Sequence, residues 1–235
     1  MRPTTASLRE RLSPGWLLRA LLARRGSIQT PLGGDWRRAL TVLRETRRTT
    51  PLLINDAAAL QIQICVRAVR HLDGAMAEAG VLMGGSARLI CEAKGDAPLH
   101  LFDVFDTLQS PGDVTIEAAR VRDHFGAVHG RQVEVERLLA PYRGVQFHPG
   151  IFPASAKGLE AMRFSFAHLD LDLPDGTRDA LAFFHPRLVA GGILIGDDHD
   201  DPQVRVVFAD YFAGRPDTVI DLPWGQVMVV KQRDT

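Results

Sequence analysis

Residues 164–198 read FSFAHLDLDLPDGTRDALAFFHPRLVAGGILIGDD, and this stretch decides the fold. Its first apolar run, residues 164–173, predicts a buried strand, and residues 192–196 predict another. Residues 177–188 between them predict a helix. A strand–helix–strand unit sets its two strands parallel, so their C-terminal ends meet at one sheet edge. Asp170-Leu171-Asp172 closes the first run and Asp197-Asp198 follows the second. Open α/β sheets bind ligands at that edge. Grouped carboxylates repel unless a proton or a cation relieves them, so the pattern points to a divalent metal.

The alternation extends to both sides of this unit. Residues 56–71 carry apolar side chains at helical spacing, and 75–82 predict a first strand. Met83-Gly84-Gly85-Ser86 then turns into a helix ending near residue 93. Residues 99–105 predict a second strand and 145–148 a third, with helical stretches at 113–124 and 131–142. Pro202 opens a further helix, since proline is tolerated in a first turn. Residues 218–222 and 226–231, around Pro223-Trp224-Gly225, predict a closing hairpin. The expected fold is therefore α/β, a doubly wound sheet carrying one antiparallel strand. Residues 1–50 are expected to form a basic helical extension, and 51–235 the main domain.

Composition narrows the function classes. The formal net charge is zero, which removes any global argument for a nucleic-acid or membrane partner. Residues 1–50 nevertheless hold eleven arginines against three acidic residues. That start reads as a docking helix in preference to a transit sequence, and a homo-oligomer contact through it stays open. Cys65 and Cys91 have no metal-ligand spacing and read as reduced thiols of a cytoplasmic protein. No apolar run approaches the roughly twenty residues of a membrane helix.

The first strand-to-helix turn, Glu78-Ala79-Gly80-Val81-Leu82-Met83-Gly84-Gly85-Ser86, allows close backbone approach to a ligand. It lacks both the dinucleotide spacing and a phosphate-loop Gly-Lys-Ser/Thr. Asp103 ends the second strand, a point where a carboxylate commonly meets ribose hydroxyls. A glycine turn with a strand-end acid and no phosphate machinery points to an adenosine ligand such as S-adenosylmethionine.

These motifs, in this order, resemble the macrocin O-methyltransferase family of class I S-adenosylmethionine-dependent methyltransferases. They are Glu78-x-Gly80-Val81-x-x-Gly84-Gly85-Ser86, Leu101-Phe102-Asp103-x-Phe105, His168-Leu169-Asp170-Leu171-Asp172, and Gly191-Gly192-x-x-x-x-Asp197-Asp198. The resemblance spans about residues 50–232. It implies a seven-stranded Rossmann-like methyltransferase sheet and methyl transfer to a hydroxyl of a small molecule, often a sugar on a glycosylated natural product. It implies Mg²⁺ on Asp170, Asp197 and Asp198, with Glu78, Gly80, Gly84, Gly85, Ser86 and Asp103 lining the cofactor. Where relatives carry an aromatic and Glu-Ser-Thr after the Asp-x-Asp, this chain has Pro174-Asp175-Gly176-Thr177, which leaves the acceptor open.

The acceptor proton is expected to pass to Asp170, or to His199 or His168 if either faces the site. Asp172 reads as a strand-end residue or the cap of the following helix, and His168 as a core histidine. Asp200 and Asp201 read as a loop and cap. Two rival readings remain. One is a glycosyltransferase holding its metal on the Asp-x-Asp; the other is an adenosine-binding module without turnover.

Overall fold

The computed structural model describes residues 36–105 and 130–233. The expected helix at 113–124 and most of the N-terminal segment lie outside the described residues. Seven strands form one sheet: β1 (Ala75–Ala79), β2 (Leu99–Asp103), β3 (Val145–Pro149), β4 (Phe164–Leu169), β5 (Leu188–Gly196), β6 (Thr218–Asp221) and β7 (Val227–Val230). Their order is β3-β2-β1-β4-β5-β7-β6. β1 to β5 pair in parallel, and β7 alone runs against its two neighbours. This is the doubly wound sheet with one antiparallel strand that the alternation predicts.

The order reverses direction between β1 and β4, which makes that junction the crevice where such sheets place ligands. Helices cover both faces. Against one face lie α2 (Asp56–Val69), α3 (Gly85–Ala93) and α4 (Gln132–Leu139), packed over Met76, Leu99, Leu101, Phe166 and Ile195. The other face carries α5 (Pro174–Phe184) and α6 (Pro202–Phe212) over Phe102, Phe164, Ala167 and Leu194. Helix α1 (Trp36–Thr49) seats Ala39, Val42 and Leu43 against Ala59, Leu60 and Leu89, so this piece of the basic segment packs on the sheet's covering helices. Its charged side is tied down as well, with Arg47 bonded to Asp56 at 2.7 Å and to the Leu52 and Ile54 carbonyls.

Local chemistry sets the ends. Asn55 caps α2 by accepting from the Ala57 and Ala58 amides, and Asp201 caps α6 by accepting from Gln203 and Val204. Several boundaries differ from the sequence expectation: β1 ends at Ala79 and β2 at Asp103, short of residues 82 and 105, and β5 begins at Leu188, where the sequence predicts the end of the preceding helix. β4 stops at Leu169, so Asp170, Leu171 and Asp172 follow the strand as loop. α5 starts at Pro174, three residues early, because its missing N–H costs nothing in a first turn. Leu173 occupies the N-cap without a side-chain bond, which leaves Asp172 out of the capping role.

His100 on β2 and His148 on β3 meet at 2.9 Å, Nδ1 to Nε2, under the Phe164 ring. Burial, with His148 adding, pushes the His100 imidazole down to about 4. A histidine held below its unfolded pKa binds fewer protons when folded. Its stabilising contribution is therefore complete above about pH 6.5 and lost as pH falls toward 4. His100→Gln is expected to flatten that limb of a plot of Tm against pH. An unchanged acid limb in the variant would move the sensitivity to another group.

Candidate active site

The C-terminal ends of the central strands hold the site. All four non-glycine residues with positive φ among the described residues lie just past them: Leu82 after β1, Phe105 after β2, Asp172 after β4 and Asp198 after β5. Such backbone costs on the order of 1–3 kcal/mol each and persists where the surroundings over-determine it, most often at functional sites.

The glycine turn is built by contacts within the protein. Gly80 has φ +87°, and a Cβ there would stand 1.6 Å from the Asp170 carbonyl oxygen. Its amide bonds to the Phe102 carbonyl, while the Asp170 amide bonds to Ala79. Gly80 thus lets the end of β1 touch the end of β4. The Asp103 carboxylate then clamps the turn, accepting from the amides of Val81 at 2.6 Å, Leu82 at 2.8 Å and Phe105 at 2.7 Å. Gly84, also in the left-handed region, is the N-cap of α3 and has no side-chain bond to the helix. Gly85 and Ser86 begin that helix and are buried. No side chain caps the first turn of α3, and a Cβ on Gly84 would meet Val135 and Leu138, one on Gly85 the Pro51 carbonyl and Leu52.

Glu78, expected to line the cofactor, meets a histidine of the neighbouring strand. It is wholly buried within β1, and His168 Nδ1 on the adjoining β4 lies 2.8 Å from its Oε1. The alternation of side chains explains this, since Met76 and Glu78 share one sheet face with Phe166 and His168. His168 in turn points Nε2 toward Asp197, 3.7 Å from its Oδ2. The sequence shows no signal for a Glu78–His168 pair, because ninety residues separate them.

The carboxylates form two groups that share one member. Asp170, Asp172 and Asp198 bring ligand atoms within 4.8 Å of one another, and so do His168, Asp170 and Asp197. Asp172 therefore joins a cluster expected to consist of Asp170, Asp197 and Asp198. Burial raises Asp170 well above the usual carboxylate range, with Asp197 and Asp198 adding to it. Asp198 is pushed up to about 7, by burial first and then by Asp172, Asp197 and Asp200. Its Oδ2 is buried and has no hydrogen-bond partner. Asp197 behaves oppositely. Burial works against its charge, but His168, the Gln226 amide at 3.0 Å and the Asp198 N–H hold it below the ordinary value. Burial likewise opposes a charge on His168, yet Asp197 and Glu78 on its two sides hold the imidazole up at about 10.

His199 is not brought into either group. Its ring lies edge-on to Phe208 of α6, its Nε2 is 3.9 Å from Asp221, and its amide bonds to the Gly225 carbonyl. Burial and then Arg205 push its imidazole down.

The sequence model of macrocin-O-methyltransferase (TylF) matches residues 43–227. The chain belongs to that family. The chain is similar to the 8-demethyl-8-(2,3-dimethoxy-alpha-L-rhamnosyl)-tetracenomycin-C 4'-O-methyltransferase of Streptomyces olivaceus, 30% identical over 168 residues. The match takes in 64% of this chain and spans 63% of that relative's length. The O-methyltransferase NovP has the same fold, with a TM-score of 0.60 at 23% identity over 75% of this chain and 80% of its own. CalS11, a calicheamicin methyltransferase, superposes over the whole of both chains with a TM-score of 0.53 at 15% identity. Among the described residues, no helix is long and apolar enough to cross a membrane.

Proposed function

We propose that this chain transfers a methyl group from S-adenosylmethionine to a hydroxyl of a small molecule, with Mg²⁺ held by Asp170, Asp197 and Asp198. The convergence of the clamped glycine turn and the carboxylate cluster at the β1–β4 crevice carries this reading. The acceptor is a sugar on a glycosylated natural product. The tetracenomycin enzyme's name describes such a substrate, and that enzyme is 30% identical over 168 residues. Membership of a methyltransferase family favours this over the nucleotide-sugar alternative.

The residues suit both groups. Asp198 Oδ2 is a buried oxygen without a partner, grouped with Asp170 and Asp172, and Asp197 stands in the adjoining group through the shared Asp170. A hard divalent cation at this edge would find carboxylate oxygens from both strand ends and from Asp172 as well. Asp103 spends three of its roughly four acceptor directions on backbone amides and keeps one for a ribose hydroxyl. When bound, the cofactor would supply an activated methyl on a sulfonium, and a cation on these carboxylates would make the acceptor hydroxyl more acidic. Asp103 and Gly80 fix the turn against which the cofactor lies, which sets the approach to the methyl carbon. With both groups bound, Asp170, placed at the shared corner of the two carboxylate groups, would be the side chain that accepts the acceptor hydroxyl's proton as the methyl leaves the sulfonium for the oxygen. His199 takes no part in this scheme, since its ring packs on Phe208.

Isothermal titration of S-adenosylmethionine and S-adenosylhomocysteine, with and without Mg²⁺, tests the cofactor. Wild type is expected to bind both. Asp103→Ala removes the clamp on the turn and the one acceptor direction left for a ribose hydroxyl, a charge-assisted bond of about 1.5–3 kcal/mol, so a loss of about 10–100-fold in affinity is expected. Absence of binding by wild type under either condition, with heat evolved for a nucleotide sugar instead, would overturn the methyltransferase reading.

A further inference from the structure

His168 is a wholly buried side chain whose Nε2 has no hydrogen-bond partner. Its other nitrogen is fixed by Glu78 at 2.8 Å. A carboxylate accepts hydrogen bonds, so Nδ1 is the donor to it and Nε2 is left facing Asp170 and Asp197. The 3.7 Å between Nε2 and Asp197 Oδ2 is too long for a hydrogen bond. It suits two ligands of one ion, since donors about 2.1 Å from a metal lie up to about 4.2 Å apart. Histidines that bind metals commonly have this carboxylate behind them, holding the ring and raising its basicity.

We propose that His168 Nε2, Asp170 and Asp197 form a nitrogen-containing cation position beside the all-oxygen group of Asp170, Asp172 and Asp198. The ligand class is a borderline first-row ion, with Co²⁺ and Zn²⁺ held more tightly than Mg²⁺. This rests on the reading of the carboxylate edge as a cation site, and it changes what that edge selects. Imidazole adds affinity for Co²⁺ or Zn²⁺, whereas Mg²⁺ favours oxygen and keeps its waters. In the absence of an ion, a proton on Nε2 neutralises the same carboxylates, and a divalent ion displaces it to solvent. Glu78, in this arrangement, is a positioning residue that keeps the ring's lone pair on the cluster.

Cobalt K-edge absorption on the metal-stripped full chain reloaded with Co²⁺ tests the nitrogen ligand directly in the wild type, without a substitution. Imidazole scattering is expected. Titration calorimetry of Co²⁺ and Mg²⁺ into wild type and Glu78→Gln supplies the second readout. The variant is expected to lose about 10–100-fold in Co²⁺ affinity and less than about threefold for Mg²⁺. An all-oxygen cobalt shell, or equal losses for both ions, overturns the nitrogen position while leaving the Mg²⁺ reading standing. Failure of every divalent ion to bind overturns both, and S-adenosylhomocysteine titration then shows whether the methyltransferase reading survives.

Discussion

Asp170→Asn is expected to abolish methyl transfer and, at the same time, to raise the Tm of the ligand-free protein. Asp170 belongs to both carboxylate groups, so it is the one side chain whose loss disturbs each. Removing a cation ligand that also takes the acceptor proton is expected to lower kcat/KM by about 10³-fold or more. The gain in stability has a separate cause. Burial opposes the Asp170 charge, and Asp197 and Asp198 repel it. An amide of the same shape removes that repulsion and should stabilise the apo protein by about 0.5–2 kcal/mol. At this chain length, 1 kcal/mol shifts Tm by about 2–4 °C. Excess Mg²⁺ should then raise the Tm of wild type and leave the variant nearly unchanged. A variant that melts lower than wild type without metal would disprove the account of mutual repulsion. Retained activity would remove Asp170 from the reaction.

Gly80→Ala is expected to be the most destabilising glycine-to-alanine change among the described residues. Two penalties coincide at this position. Left-handed backbone costs alanine about 1–2 kcal/mol, and the added Cβ would meet a backbone oxygen of Asp170 at 1.6 Å. A flexible side chain could swing aside, but here the β1 and β4 ends must separate, at a further cost of about 1–3 kcal/mol or more. Gly95 supplies the control, with φ +65° and nothing within 4 Å of its Cβ. Gly95→Ala should cost only the backbone term. In urea unfolding, Gly80→Ala is expected to lose at least about 2 kcal/mol more than Gly95→Ala, and cation binding should weaken because Asp170 is displaced. Equal losses for the two variants would show that the Asp170 carbonyl does not constrain the turn.

The strands and helices were legible because their signals are local. Period-two and period-3.6 patterning, with Pro202 marking a helix start, is written into short windows. Boundaries were less exact where polar residues extend an apolar run. Leu171 and Leu173 prolong the run of β4, yet the chain leaves the sheet at Leu169 so that Asp170 and Asp172 can turn over its edge. The site followed the same division. That carboxylates gather at two strand ends followed from strand–helix–strand geometry alone. Which of them group together did not, and Asp172 entered the cluster while His199 packed on Phe208.

From the sequence by itself came an alternating α/β chain, a glycine turn ending in a helix, and acids placed after the second, fourth and fifth strands. Those properties depend on neighbours a few residues away. Only the tertiary structure decided that Gly80 must admit the Asp170 carbonyl, that Asp103 clamps the turn, and that Glu78 stands behind His168. Each of these depends on which strands lie side by side and in what register. Register is set by the packing of the whole sheet, and no short window of sequence contains it.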